Sequence, residues 1–411
     1  MVIAVTSFLG TARFCRAANQ QAISSNRPKE PGGLVSCAWR ARACCSNSGS
    51  GVGMVGVAAK ARTLRGGRHG GKRGAVYFAL YFCRSLAMKR ALILLPILLL
   101  LALASGVIAL SNGSAHTDLA SVWRALVGQE QGLAYDVVMQ LRLPRAVNAF
   151  TTGAMLALAG ALMQVLLRNP LADPYVLGIS GGAAVAALGG ILLGVTGVWL
   201  NGAAFVGALL SMFLVFDLAR GAGTWSSSRL LLTGVIVAAG WGALISLLLA
   251  LSPDAKLRGM LFWLMGDMGN GESISPGIVG LSLGLVLSLP TARALNVMVR
   301  GEMTARALGV PVQALRLFLY VVASLLTAVA VMAAGSIGFI GLVAPHILRL
   351  AAGNDHRILL PGAALFGGSL LVLADTAART VIAPQQLPVG VVTALIGVPL
   401  FLYLLTRAHR V

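Results

Sequence analysis

The sequence predicts an all-α polytopic membrane protein of about ten transmembrane helices. Its 411 residues are 57% hydrophobic and only 11% charged, with mean hydropathy +0.86, whereas a soluble domain carries roughly 25% charged residues. Apolar runs near the length of about 20 residues that crosses a bilayer recur from residue 91 onward. Between them the polar connections are short.

The chain falls into two compositions that meet at Met88. Residues 1–87 hold 13 Lys/Arg against one acid, Glu30, and all five cysteines, Cys15, Cys37, Cys44, Cys45 and Cys83. This stretch is Arg-, Gly- and Ser-rich without helical or strand periodicity, the composition of a disordered basic extension. Met88-Lys89-Arg90 followed by ALILLPILLLLALA reads as the start of a membrane protein. The expected organisation is therefore an extension over 1–87, absent from the native product, and a membrane domain over 88–411. An organellar transit peptide is the alternative for 1–87. The lone GxGxxG of Gly51, Gly53 and Gly56 follows no strand and is compositional.

Ten spans are expected at 91–110, 146–167, 175–194, 199–219, 229–251, 276–290, 315–335, 336–352, 359–381 and 388–406. The first contains an A-x-A at Ala102 to Ala104, but apolar sequence runs on through Leu110, so an uncleaved helix is expected. Asn112-Gly113-Ser114 would be a glycosylation sequon only in a eukaryotic lumenal protein. The sixth span is short and bounded by Pro276 and Pro290. The eighth, GSIGFIGLVAPHILRL, is interrupted by Gly335, Gly338, Gly341 and Pro345. Irregular backbone is admitted at membrane depth only inside a protein or beside a wet cavity. Broken apolar segments also point to a transport path.

Charge gives the orientation. With a cytoplasmic N-terminus and ten crossings, the inside carries Lys89, Arg90, Arg168, Arg220, Arg229, Arg293, Arg300, Arg306, Arg316, Arg349, Arg357, Arg407 and Arg410. The outside carries Arg124, Arg142, Arg145, Lys256, Arg258 and Arg379. The bias of 13 to 6 is that of the positive-inside rule, and it places both termini in the cytoplasm. Arg142 and Arg145 in LRLPR, shaped by a turn at Pro144, reach the same outer surface as Arg379. Interfacial snorkelling is the plain reading; docking of an acidic partner is the functional one, since guanidinium forks pair with carboxylates bidentately. On the inside, RGEMTARALGVP places Glu302 and Arg306 four residues apart and ends on Gly309, so a short surface helix with a glycine cap is expected. Such a helix is a handle for a partner domain.

The remaining chemistry is mostly excluded. After Lys89 the only lysine is Lys256, so no Walker A loop exists and ATP must be bound elsewhere. His116, His346, His356 and His409 have no ligand partners at metal-binding spacing, so no metal and no resident cofactor are expected. The basic balance does not imply nucleic acid, because most of it sits in 1–87. Gly178-Ile179-Ser180-Gly181 with His346 is similar to the dyad of rhomboid intramembrane proteases, although Gly182-Ala183-Ala184 makes it equally a small-residue packing face. Asp375 and Asp217 are the candidates for a proton relay in a secondary transporter, and Asp375 lies one turn before Arg379.

Several stretches together resemble the permease subunits of bacterial ABC importers for iron-siderophore complexes, haem and cobalamin. They are LRLPR (141–145), GAMLALAGALMQ (153–164), NPLADPYVLGISGGA (169–183), SSRLLLTG (227–234), FWLMGD (262–267), GEMTARALG (301–309), GSIGFIGLVAPHILRLAAGNDHRILLPG (335–362), ADTAART (374–380) and the final LPVGVVTALIGVPLFLYLL. The match runs colinearly through 88–411. The resemblance implies type II ABC importer permease architecture in the bacterial inner membrane. It implies a homodimer, or a pair with a close paralogue, surrounded by lipid and joined to two cytoplasmic ATPase subunits that bind ATP and Mg. It also implies a periplasmic substrate-binding protein docked on Arg142, Arg145 and Arg379. Gly301, Glu302, Arg306 and Gly309 match the coupling helix that seats in the ATPase. Ser227 and Ser228 match the cytoplasmic gate, and the fifth span lines the path. Iron-siderophore is the first cargo expected, with cobalamin and haem next.

Overall fold

The computed structural model describes residues 93–113, 118–129, 132–220, 227–268, 274–383 and 385–408. The expectations for 1–87 and for a start at Met88, like Ser114, His116, His409 and Arg410, lie outside the described residues. Among the described residues, 94–351 and 355–408 form one compact unit.

All regular structure among the described residues is helical. The helices are α1 (Ile93–Ser111), α2 (Leu119–Leu126), α3 (Leu133–Leu166), α4 (Ile179–Leu192), α5 (Gly197–Arg220), α6 (Ser227–Ala250) and α7 (Asp254–Leu264). They continue with α8 (Ser275–Met298), α9 (Glu302–Ala307), α10 (Val312–Ala334), α11 (Ile340–Ala352), α12 (His356–Thr380) and α13 (Val389–Ala408). Among the described residues seven are long and apolar enough to cross a membrane, namely α1, α3, α5, α6, α8, α10 and α12, while α4, α11 and α13 are shorter apolar helices. Together they occupy the ten expected segments.

Helix α3 is the centre of the bundle: 94% of its apolar window is buried, against 17% for α6. Its main partners are α12 and α10. In lipid, tails solvate apolar side chains as well as another helix does, so helices associate by close packing of small residues. The run GAMLALAGALMQ meets that need. Gly153 lies against the carbonyl of Gly367 on α12, and Gly367 against Ala157 and Gly153 in return. Gly160 lies on the carbonyl of Gly341 on α11, where a Cβ would overlap it. Pro345 has no N–H, so it removes the helical donor that Gly341 would have. The freed carbonyl is therefore the one that rests on Gly160.

Prolines act differently from the sequence expectation at two places. LRLPR forms no turn: α3 begins at Leu133 and passes through a π-helical segment, Val137–Arg142, directly before Pro144. Widening the helix there accommodates the missing donor and the ring. Pro290 likewise does not end the sixth span, because a 3-10 turn at Leu289–Thr291 carries the chain into a further helix reaching Met298.

Two irregular stretches face one another inside the bundle. The first precedes α4, with Asp173 accepting a bond from the backbone N–H of Tyr175 (2.8 Å) and a 3-10 turn at Pro174–Leu177. The second, from Gly335 to Phe339, precedes α11. The Ile337 N–H donates to the Tyr175 hydroxyl (3.1 Å), and Gly341 packs on the Pro174 ring. Each stretch thus supplies polar partners or close contacts to the other, as non-helical backbone at membrane depth requires. Gly335 has a left-handed φ of 69° and abuts the Trp263 carbonyl. Gly338 does not share that packing role: a Cβ there would meet nothing within 4 Å, and its neighbour Phe339 takes a positive φ of 71°.

Gly160→Ala should therefore destabilise the purified chain by about 1–3 kcal/mol through overpacking, whereas Gly338→Ala should stay within about 0.5 kcal/mol. Thermal unfolding in detergent measures both.

Candidate functional site

The candidate residues gather at the two ends of α3. Its regular portion, Leu143–Leu166, has 24 residues, which at about 1.5 Å per residue span the hydrocarbon core.

At the N-terminal end, Arg145 grips Asp375 of α12 with Nε on both carboxylate oxygens (3.1 Å each) and Nη2 on Oδ1 (2.9 Å). Arg379, one turn on from Asp375, donates to Oδ2 (3.1 Å). The Asp375 side chain is only 2% exposed, and its partners are 16% and 10% exposed. A buried carboxylate is sustained only when paired, and two guanidiniums do that here. Arg145 Nη1 also reaches Gln386 (3.3 Å). A cavity of about 240 Å³ opens beside it, lined by Arg145, Phe262, Asp267, Gln386 and Pro388 among others.

Arg142 behaves otherwise. It is 5% exposed, donates to the Leu110 carbonyl (2.6 Å) and lies against Gly113. The last carbonyls of a helix lack intrahelical donors and attract cations, so the end of α1 draws Arg142 inward. Arg379 reaches the same end at the Ala109 carbonyl (3.5 Å). The sequence treated all three arginines as one outward fork. The structure turns Arg142 away from solvent and commits Arg145 and Arg379 to Asp375, leaving Arg145 at the cavity. Asp375 itself, paired on both sides, is not placed as a free proton carrier.

At the C-terminal end of α3, Glu302 opens α9, where an acid complements the helix dipole. It accepts from Arg306 (2.7 Å), Arg316 (2.8 Å) and Arg168 (3.0 Å). Partial burial would raise its pKa, but Arg316, Arg306 and Arg168 outweigh that and hold the carboxyl below its ordinary value. Gly301 (φ 120°) and Gly309 (φ 76°) bracket the helix. Glu302 is therefore turned toward the chain's own arginines. The outward face of α9 is instead Met303, 80% exposed, with Leu308 and Arg306 beside it.

Ser227, first residue of α6, donates to the Leu166 carbonyl (2.9 Å), and Ser228 is exposed. Farther along α6, Gly234 packs on Val176, and Trp241 donates to Ser211 (2.8 Å), which donates to the Gly178 carbonyl (2.8 Å). Gly178 and Gly181 pack against α6, and Gly182 against Gly207 and Ser211. The Gly178 to Gly182 stretch is thus a packing face. The protease alternative fails on geometry: no hydrogen bond joins Ser180 to His346, whose ring stands edge-on to Phe401 at 6.1 Å between centroids. Among the described residues no three His, Cys, Asp or Glu side chains are grouped to hold a metal ion.

Sequence reasoning passed over Arg168, Asp173 and Tyr175. Asp173 before Pro174 carried an N-cap signal. Arg168 carried none beyond its sign.

Comparison with known proteins gives concordant results. Over 320 residues the chain is 41% identical to YvrB, an uncharacterised ABC transporter permease protein of Bacillus subtilis (strain 168), covering 74% of this chain and 90% of that one. It is 44% identical over 275 residues to the cobalamin import system permease protein BtuC of Halobacterium salinarum, covering 66% and 74% of the two chains. It is 42% identical over 277 residues to the vitamin B12 import system permease protein BtuC of Escherichia coli O9:H4, covering 66% and 84%. A solved chain described as a metal-chelate type ABC transporter in an inward-facing conformation aligns with a TM-score of 0.67 at 32% identity, covering 77% of this chain and 99% of that one. Residues 98–407 match the family model directly, and the chain belongs to the FecCD transport family.

Proposed function

We propose that this chain, paired with a second copy or a close paralogue, forms the path of an ATP-driven importer of metal chelates, with cobalamin ahead of iron-siderophore as cargo. The observation that carries this reading is the placement of two arginine clusters at opposite ends of α3, with the poorly buried α6 starting against the second of those ends. As a FecCD-family permease the chain is a transport subunit of the bacterial inner membrane, and such permeases associate with ATPase and substrate-binding partners. In the proposed arrangement the Arg145 and Arg379 end faces the periplasm and receives an acidic loop of the binding protein at the cavity beside Arg145. Arg142 supports that end from beneath, and both termini of the chain lie in the cytoplasm. The opposite end presents Met303 and Leu308 of α9 to an ATPase subunit, with Gly301, Glu302, Arg306 and Gly309 setting the helix's position. ATP and Mg belong to that partner. Ser227 and Ser228 form the inner gate, and α6 lines the path. Gly335, Gly341 and Pro345 shape the wall opposite through backbone contact. The names of the two BtuC relatives support reading cobalamin ahead of the iron-siderophore that the sequence led us to expect first. Rocking about a central path then gives alternating access.

Vesicles holding the assembled complex should accumulate cobalamin only with ATP and the binding protein. Uptake that survives ATP depletion and collapses with the proton gradient would overturn the ATP-driven reading, and uptake of ferric siderophore alone would overturn the cargo. Arg145→Gln leaves Asp375 paired with Arg379, and should lower binding-protein affinity about tenfold, measured by surface-immobilised titration. Met303→Glu with Leu308→Glu should weaken ATPase capture by about tenfold or more, since buried apolar anchors dominate interfaces, read by co-purification.

A further inference from the structure

Arg168 has an unusual backbone. It follows the C-cap of α3 with φ 51°, one of two non-glycine residues with positive φ among those described. Its N–H closes the turn on the Val165 carbonyl (3.3 Å). Glycine is the usual residue at that position, because an L side chain there is sterically opposed. Strain retained at a residue points to a use for its side chain.

That side chain joins two elements. Its Nη2 donates to Glu302 Oε2 (3.0 Å), the oxygen that also accepts from Arg316 (2.8 Å). Two residues earlier, the Leu166 carbonyl ends α3 without a helical donor, and Ser227 Oγ supplies one (2.9 Å). The backbone after Arg168 continues the link: Val176 and Leu177 pack on Gly234 of α6. Helix α9 itself packs on the end of α8 and the start of α10. Among the described residues, the end of α3 links it to α6.

We propose that Arg168 is a positioning residue that ties α9 to the N-terminus of α6, so that displacement of α9 is carried through Glu302, Arg168 and the Leu166 carbonyl to Ser227. The inference rests on reading α9 as the ATPase-facing helix and the start of α6 as the gate. A shift of α9 that keeps the Glu302 to Arg168 pair draws the end of α3 with it, and both the Ser227 bond and the Gly234 contact follow. Glycine at 168 would relieve the backbone but cut the tie, so Arg168→Gly tests the side chain without threatening the fold.

The test uses the assembled complex in lipid nanodiscs, with single cysteines introduced as Ser228→Cys or Ala307→Cys and labelled by a water-soluble maleimide. All five native cysteines precede residue 88, so peptide mass spectrometry separates the introduced site. In the parent, ATPase subunits should protect Ala307→Cys, and ATP with vanadate should change labelling of Ser228→Cys. Adding Arg168→Gly should preserve protection at 307 while reducing the ATP effect at 228 about fivefold, the most a part-exposed pair is expected to carry. Glu302→Gln should reduce the ATP effect at 228 by at least as much, adding Arg168→Gly to it should reduce that effect no further, and Arg168→Lys should restore the response. An unchanged response at 228 in Arg168→Gly, or additive losses, overturns the tie alone. No protection at 307, or no ATP effect at 228 in the parent, overturns the underlying assignment and the tie with it.

Discussion

The rest of the structure depends on one contact, the seating of the Gly341 carbonyl against Gly160. Pro345 deprives that carbonyl of its helical donor, and in hydrocarbon no water can replace it. A side chain at position 160 would hold the two helices apart, so α11 lies against α3 only because glycine stands there. At most a weak Cα–H to oxygen contact forms; the greater gain is proximity, which brings Gly341 onto Pro174 and Ile337 onto Tyr175. The two irregular stretches then complete each other's backbone needs. Broken helices persist here because each break is covered by the other.

The same principle governs charge. Asp375 lies among α1, α3 and α12 because Arg145 and Arg379 share it, while the open carbonyls of α1 hold Arg142 and Arg379 from the other side. Glu302 does the corresponding work at the far end, tying α9, α10 and the end of α3. Each cluster gathers at least two arginines on one acid. At one end the cluster borders a cavity that Asp267 also lines; at the other it sits behind the apolar Met303 and Leu308. The chain thus has two chemically different ends.

A permease must change shape without exposing backbone to lipid, and the distribution of packing meets that condition. Helices α3, α10 and α12 form the interlocked part, with glycines of α3 and α12 in reciprocal contact. Helix α6 meets this frame at Ser227 on the Leu166 carbonyl, and otherwise packs on the turn before α4 through Gly234 and on α4 and α5 through Trp241. A helix so lightly tied to the frame can move as a unit. The Ser227 contact, beside the end of α3, puts that unit within reach of α9.

The sequence by itself determined the helical membrane class, the ten apolar segments and the short helix from Glu302. These follow from hydropathy over about 20 residues and from local capping, which are properties of neighbours along the chain. What only the tertiary structure decided is where side chains are spent. Arg142 turned inward, Glu302 turned to its own arginines, Pro144 followed a widened stretch of helix, and Phe339 took a positive φ. Each outcome depends on a partner far away in sequence, such as Leu110 for Arg142 or Asp375 for Arg145, 230 positions on. Local pattern cannot carry that information, because a buried charge or a freed carbonyl is satisfied by whichever group packing brings within about 3 Å.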